Sequence, residues 1–90
     1  MSAVRVVVTG RVQGVGFRHH ACKMASRLGI LGWVRNLRDG RVEAWLQGSD
    51  ACVDAGLEWL RAGGPPAGRV DDLDASPVPP DESLHGFDVR

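Results

Sequence analysis

The sequence predicts an α+β sandwich, one antiparallel sheet carrying two helices on one of its faces. Three observations lead there. Stretches at residues 4–9, 30–38, 41–47 and 68–76 read as strands, the first and third by plain alternation of apolar residues. Two stretches between them carry apolar residues at helical spacing instead. Ninety residues leave room for one domain and one modest core. The order is βαββαβ, with a short terminal strand anchored by Phe87 and Val89. Two split βαβ halves of this kind give a ferredoxin-like fold, with residues 1–90 as a single domain.

Each element has its own signal. Val4, Val6 and Val8 alternate along the first strand and are expected to face the core. Phe17, Ala21, Met24, Ala25 and Leu28 share one face of a helix that Gly29 stops. Residues 30–38 and 41–47 form a hairpin about the turn dipeptide Asp39-Gly40. Ser49 or Asp50 caps a second helix, on which Val53, Leu57 and Leu60 form the apolar stripe. Trp59 lies off that stripe and is expected to cover an edge of the core. Gly63-Gly64-Pro65-Pro66 ends this helix. The strand at 68–76 carries Asp71, Asp72 and Asp74, which alternation splits between two sides; a solvated edge is expected rather than a metal site. Pro77, Pro79 and Pro80 make an extended linker. Trp33 and Trp45 fall on one side of neighbouring strands. They fit either a shield over the sheet or a base-stacking platform, and shielding is expected.

Composition narrows the function. The chain is 43% hydrophobic and 24% charged, an ordinary balance for a soluble globule, and no apolar run is long enough to span a bilayer. No signal-peptide pattern opens the sequence, so a cytoplasmic location is expected. Net charge is zero, against a nucleic-acid partner. The charge is unevenly spread: residues 1–41 hold eight Lys/Arg and one acid, and residues 42–90 hold three Arg and ten acids. The basic half suits a small anionic ligand. Cys22 and Cys52 match no zinc spacing, and reduced thiols are expected in a reducing compartment, with a bridge between the helices as the alternative. His19 and His20 point about 100° apart on a helix, so they make no metal pair; either could tune a nearby anion site. No cofactor, no membrane association and a monomer are expected.

The stretch that carries chemistry runs from Gly10 to Arg18, Gly-Arg-Val-Gln-Gly-Val-Gly-Phe-Arg. It joins a strand to a helix N-terminus and contains no acid. Glycine turns of this kind aim successive N–H groups at one anion, and a helix start adds more. Arg18 brings a planar fork that matches phosphate. The loop lacks the Gly-Lys-Ser/Thr ending of a nucleotide P-loop. A phosphate cradle and a tight turn built for geometry both fit the residues. Asn36, near the end of its strand, is either a turn residue or an amide that orients water. No Ser/His/Asp, Cys/His or paired-carboxylate arrangement points to covalent or acid–base catalysis.

The string Gly10–Arg18, together with Gly32-Trp33-Val34-Arg35-Asn36 and Asp39-Gly40-Arg41-Val42-Glu43, resembles the acylphosphatase family. The resemblance extends from Val4 to Arg90. It implies a ferredoxin-like fold and hydrolysis of small acyl phosphates to a carboxylate and inorganic phosphate, with no metal and no phosphoenzyme. By the resemblance, the phosphate loop falls on Gln13, Gly14, Val15, Gly16, Phe17 and Arg18. The catalytic arginine falls on Arg18 and the water-orienting asparagine on Asn36. His19-His20 departs from the family pattern and bears on substrate preference or pH response. The same domain type also occurs inside larger proteins that handle carbamoyl phosphate in hydrogenase maturation, which leaves a binding module as the alternative.

Overall fold

The computed structural model describes all 90 residues. The elements are β1 (Ser2–Arg11), α1 (Phe17–Leu28), β2 (Leu31–Asn36), β3 (Val42–Gly48), α2 (Asp50–Arg61), β4 (Arg69–Pro77) and β5 (Phe87–Val89). They build one sheet in the order β4-β1-β3-β2-β5. The four longer strands pair antiparallel, as the sequence predicts. β5 lies parallel to β2, so the sheet is mixed.

The parallel pairing follows from where β4 ends. β4 occupies one edge and β5 the other, so the linker between them passes the whole width of the sheet. Four strand spacings of about 4.8 Å make roughly 19 Å. The linker at 78–86 can extend to roughly 30 Å, which suffices. The Val78 amide donates to the Ala3 carbonyl (3.0 Å) at its start. Midway, the Gln47 side chain donates to the Asp81 carbonyl (3.0 Å) and accepts from the Asp81 amide (2.8 Å). The linker therefore crosses at the starting end of β1, and β5 runs back up beside β2.

Alternation divides the sheet into two faces. Val6 and Val8 of β1, Val34 of β2, and Val42, Ala44 and Leu46 of β3 point to the helices. They share one core with Phe17, Ala21, Met24 and Ala25 of α1 and Val53, Leu57 and Leu60 of α2. α2 starts as expected, with the Ser49 hydroxyl accepting from the Cys52 amide. Trp59 packs against Phe17, ring centroids 5.8 Å apart.

On the other face Glu43 is buried and ion-paired with both Arg5 and Arg35. Trp33 and Trp45 stack with centroids 6.3 Å apart. The guanidiniums of Arg35 and Arg90 stand 5.6 and 5.1 Å from the Trp33 ring centre. Two cations thus already cover that aromatic face, an arrangement that fits shielding.

Some strand boundaries differ from the sequence reading. β2 stops at Asn36, because the Leu37 amide turns to the Arg41 carbonyl (2.8 Å) and opens the hairpin into a longer loop. The Asp39 carboxylate organises that loop by accepting from the Arg41 amide and guanidinium. Those hydrogen bonds, the backbone one foremost, hold the Asp39 carboxyl below its usual range. Pro77 closes β4 rather than opening the linker. Asp71, Asp72 and Asp74 are exposed, and Asp71 pairs with Arg69. Cys22 and Cys52 are free and half-buried. No helix is long and apolar enough to cross a membrane.

Candidate active site

β1, β2 and β5 run in one direction, so their carboxyl ends lie at the same end of the sheet. The loop at 12–16 follows β1 there, Asn36 ends β2, and Val89 ends β5. Together with the first turns of α1 they enclose an open groove of about 430 Å³.

The loop is shaped by glycine. Gly14 and Gly16 sit at φ 73° and 74°, in the left-handed region that costs other residues about 1–2 kcal/mol. Gly16 is also the N-cap of α1, and being glycine it offers no side-chain acceptor. No acidic residue occupies the first turn. The helix therefore begins with its amides uncapped and its positive dipole end uncompensated. An anion would satisfy both.

The side chains around the loop have distinct tasks. Val12 and Phe17 are buried and pin the loop at both ends. Val15 packs on the core and does not line the groove. Gln13 donates its amide nitrogen to the Leu37 carbonyl (2.8 Å) and the Arg41 carbonyl (3.0 Å). It ties the loop to the hairpin immediately after Asn36. Arg18 is exposed, lines the groove and forms no ion pair with any carboxylate. A cation in a first helical turn opposes the dipole, which makes it a poor choice for stability alone.

Of the residues singled out in the sequence, Gln13, Gly14, Gly16, Phe17, Arg18 and Asn36 all line this groove. His19 joins them, while His20 is half-buried with its ring edge-on to His19, centroids 5.6 Å apart. Val12, Cys22 and Val89 also line it, and sequence reasoning did not assign them to the site. Cys22 carried a usable signal, since it stands four residues after Arg18 on the same helix face. Val89 carried none. Burial, and then the nearby Asp88 carboxylate, push the Cys22 thiol up from its ordinary range. No three His, Cys, Asp or Glu side chains gather with metal-ligand spacing.

The arrangement resembles known proteins closely. The acylphosphatase family model matches residues 4–89. An acylphosphatase of Anaeromyxobacter dehalogenans strain 2CP-C is 52% identical over 86 residues, spanning 96% of this chain and 91% of the relative. The crystal structure of the Bacillus subtilis acylphosphatase superimposes with a TM-score of 0.93 at 34% identity, over 100% of this chain and 99% of that one. The structure of a Coxiella burnetii acylphosphatase gives 0.89 at 37% identity, over 99% and 92%. A loop of uncapped amides and an unpaired arginine on this sheet thus come with a match along nearly the full length, and the chain belongs to the acylphosphatase family.

Proposed function

We propose that this acylphosphatase hydrolyses the carboxyl–phosphate bond of small acyl phosphates by direct attack of water held by Asn36. One observation carries the reading: Arg18 and Asn36, far apart in sequence, line one groove beside the uncapped start of α1. The phosphoryl oxygens lie against the loop amides and the Arg18 fork. Asn36 positions a water for in-line attack without adding negative charge. The water oxygen bonds to phosphorus as the phosphorus–oxygen bond to the acyl group breaks. The carboxylate departs with the bonding pair, and a phosphoryl oxygen takes up the water's proton. Carboxylate and inorganic phosphate result.

The chemistry suits these residues. An acyl phosphate releases a stable carboxylate and needs no general acid. Phosphoryl transfer through a loose transition state depends mainly on positioning and charge stabilisation. Arg18 supplies charge to the phosphoryl oxygens, so the mechanism requires neither a metal nor a covalent intermediate.

The test is hydrolysis of acetyl phosphate in excess chelator. Wild type is expected to turn over. Arg18→Ala is expected to lose about 10³-fold or more in kcat, the scale set by arginines that neutralise a transferring phosphoryl group. Arg18→Lys should fare little better, because a point charge does not replace a fork. Asn36→Ala should lower kcat by about 10²-fold with little change in KM, marking an interaction made mainly in the transition state. Wild-type kcat in Asn36→Ala would remove the water-orienting role, and survival of activity in Arg18→Ala would move the site elsewhere.

A further inference from the structure

The face of the sheet away from the helices carries a second cavity, of about 330 Å³, lined by Arg5, Trp33, Arg35, Glu43, Trp45 and Arg90. None of these residues belongs to the groove beside α1. Shielding of the sheet explains a cover over Trp33, but not the charge gathered there. Three guanidiniums meet one carboxylate. Glu43 pairs with Arg5 and Arg35, whereas Arg90 forms no ion pair. Val34 and Val89 are register partners, so the residues that follow them, Arg35 and Arg90, fall side by side on the opposite face. Both lean on the one Trp33 ring, 5.6 and 5.1 Å from its centre. Like charges side by side on neighbouring strands are destabilising, so stability alone does not call for this pair. Asp88, the register partner of Trp33, is exposed; it neither lines the cavity nor pairs with an arginine.

We propose that this cavity is a second ligand site, separate from the groove, that binds a planar aromatic anion of the size of a purine nucleoside monophosphate. Three guanidiniums against one carboxylate favour an anion. Arg35 spends its Nε on Glu43, which leaves its two terminal nitrogens to donate to a ligand. The indoles favour a ring. Both cations stand over Trp33, and none stands over Trp45, which lines the same cavity and is left for stacking. Ligand pockets start at roughly 300 Å³, so this one suits a single small ligand. A chain of zero net charge argues against a nucleic-acid polymer there.

The test is titration of the protein with AMP, followed by the indole N–H signals in proton–nitrogen correlation spectra. Those of Trp33 and Trp45 are expected to shift saturably. Trp59, which packs against Phe17 of the groove, serves as the internal control. The shifts of Trp33 and Trp45 should persist in Arg18→Ala; their loss there would place AMP in the groove and overturn the second site. Arg90→Gln, at an exposed side chain without an ion pair, should weaken binding about fivefold, the scale of one exposed charge pair. Trp45→Leu should weaken it about tenfold, the scale of one stacked base. Far-UV circular dichroism checks the fold, and Arg90→Gln decides the matter if the tryptophan variant folds poorly. Adenosine and ribose 5-phosphate should each bind at least fivefold more weakly than AMP. Equal binding of adenosine overturns the need for an anion, and equal binding of ribose 5-phosphate overturns the need for a ring. An oligoadenylate that binds tenfold or more tightly than AMP overturns the small ligand in favour of a single-strand platform. No saturable shift in folded wild type, or unchanged affinity in Arg90→Gln, overturns the site.

Discussion

Gln13 directly precedes Gly14 in the loop, yet its side chain serves the hairpin. Its amide nitrogen reaches the carbonyls of Leu37 and Arg41, which leaves only its backbone for an anion. Under the proposed mechanism it would act on the reaction through Asn36, by fixing the end of β2 against the loop. Gln13→Ala should lower stability by about 1–2 kcal/mol, the usual cost of losing two partly exposed hydrogen bonds. It should also lower kcat about tenfold, because small displacements of a positioning group are expensive in rate. Gln13→Glu should be worse on both counts, since a carboxylate cannot donate to the two carbonyls and adds repulsion near the bound anion. Urea denaturation and steady-state kinetics read the two effects, and a Gln13→Glu variant as stable and active as wild type would sink the positioning role. The sequence places Gln13 in the loop before α1, and the structure shows it lining the groove. The sequence could not show which way the side chain turns, because both acceptors belong to a hairpin more than twenty residues away.

At the scale of elements, local pattern was a reliable guide wherever one face is dry. The stripe on α1 and the alternation on β1 and β3 describe the core as it is found, because each buries residues against a single opposing layer. Alternation also put Glu43 on the face away from the helices, which is correct, but that face is not uniformly wet. Glu43 is only 2% exposed because Arg5 and Arg35, on the strands either side, lie across it. Single-strand patterning cannot see a neighbour that closes over a residue. The clamp makes an asymmetric prediction. Arg5 and Arg35 are about half exposed (48% and 50%), so they rehydrate when Glu43 is lost. Glu43→Gln should therefore cost only about 1–2 kcal/mol. The double variant Arg5→Met, Arg35→Met keeps apolar stems across the carboxylate but removes both charges, so it leaves a buried carboxylate unpaired and should cost about 3–5 kcal/mol. Equal losses in chemical denaturation would mean that Glu43 gains its solvation elsewhere.

At the scale of the molecule, the groove exists because three strands of one direction end together, and one of them arrives last. Phe87 and Val89 were legible as a strand, but not as a strand parallel to β2. That pairing depends on the path of the linker, which no local pattern encodes. The path is held at Gln47, whose side chain bonds Asp81 twice and also accepts from the Trp45 indole (3.0 Å). Gln47→Ala should lower stability by about 1–3 kcal/mol, since it strips partners from buried polar groups. The loss should not be uniform. β5 is held by the Gly32 amide on the Gly86 carbonyl (2.9 Å) and the Arg90 amide on the Val34 carbonyl (2.8 Å). With the linker loosened, these two amides should lose hydrogen-exchange protection well before those between β1 and β3, which open only with the core. A uniform loss of protection across the sheet would show instead that the linker is part of the core's own cooperative unit.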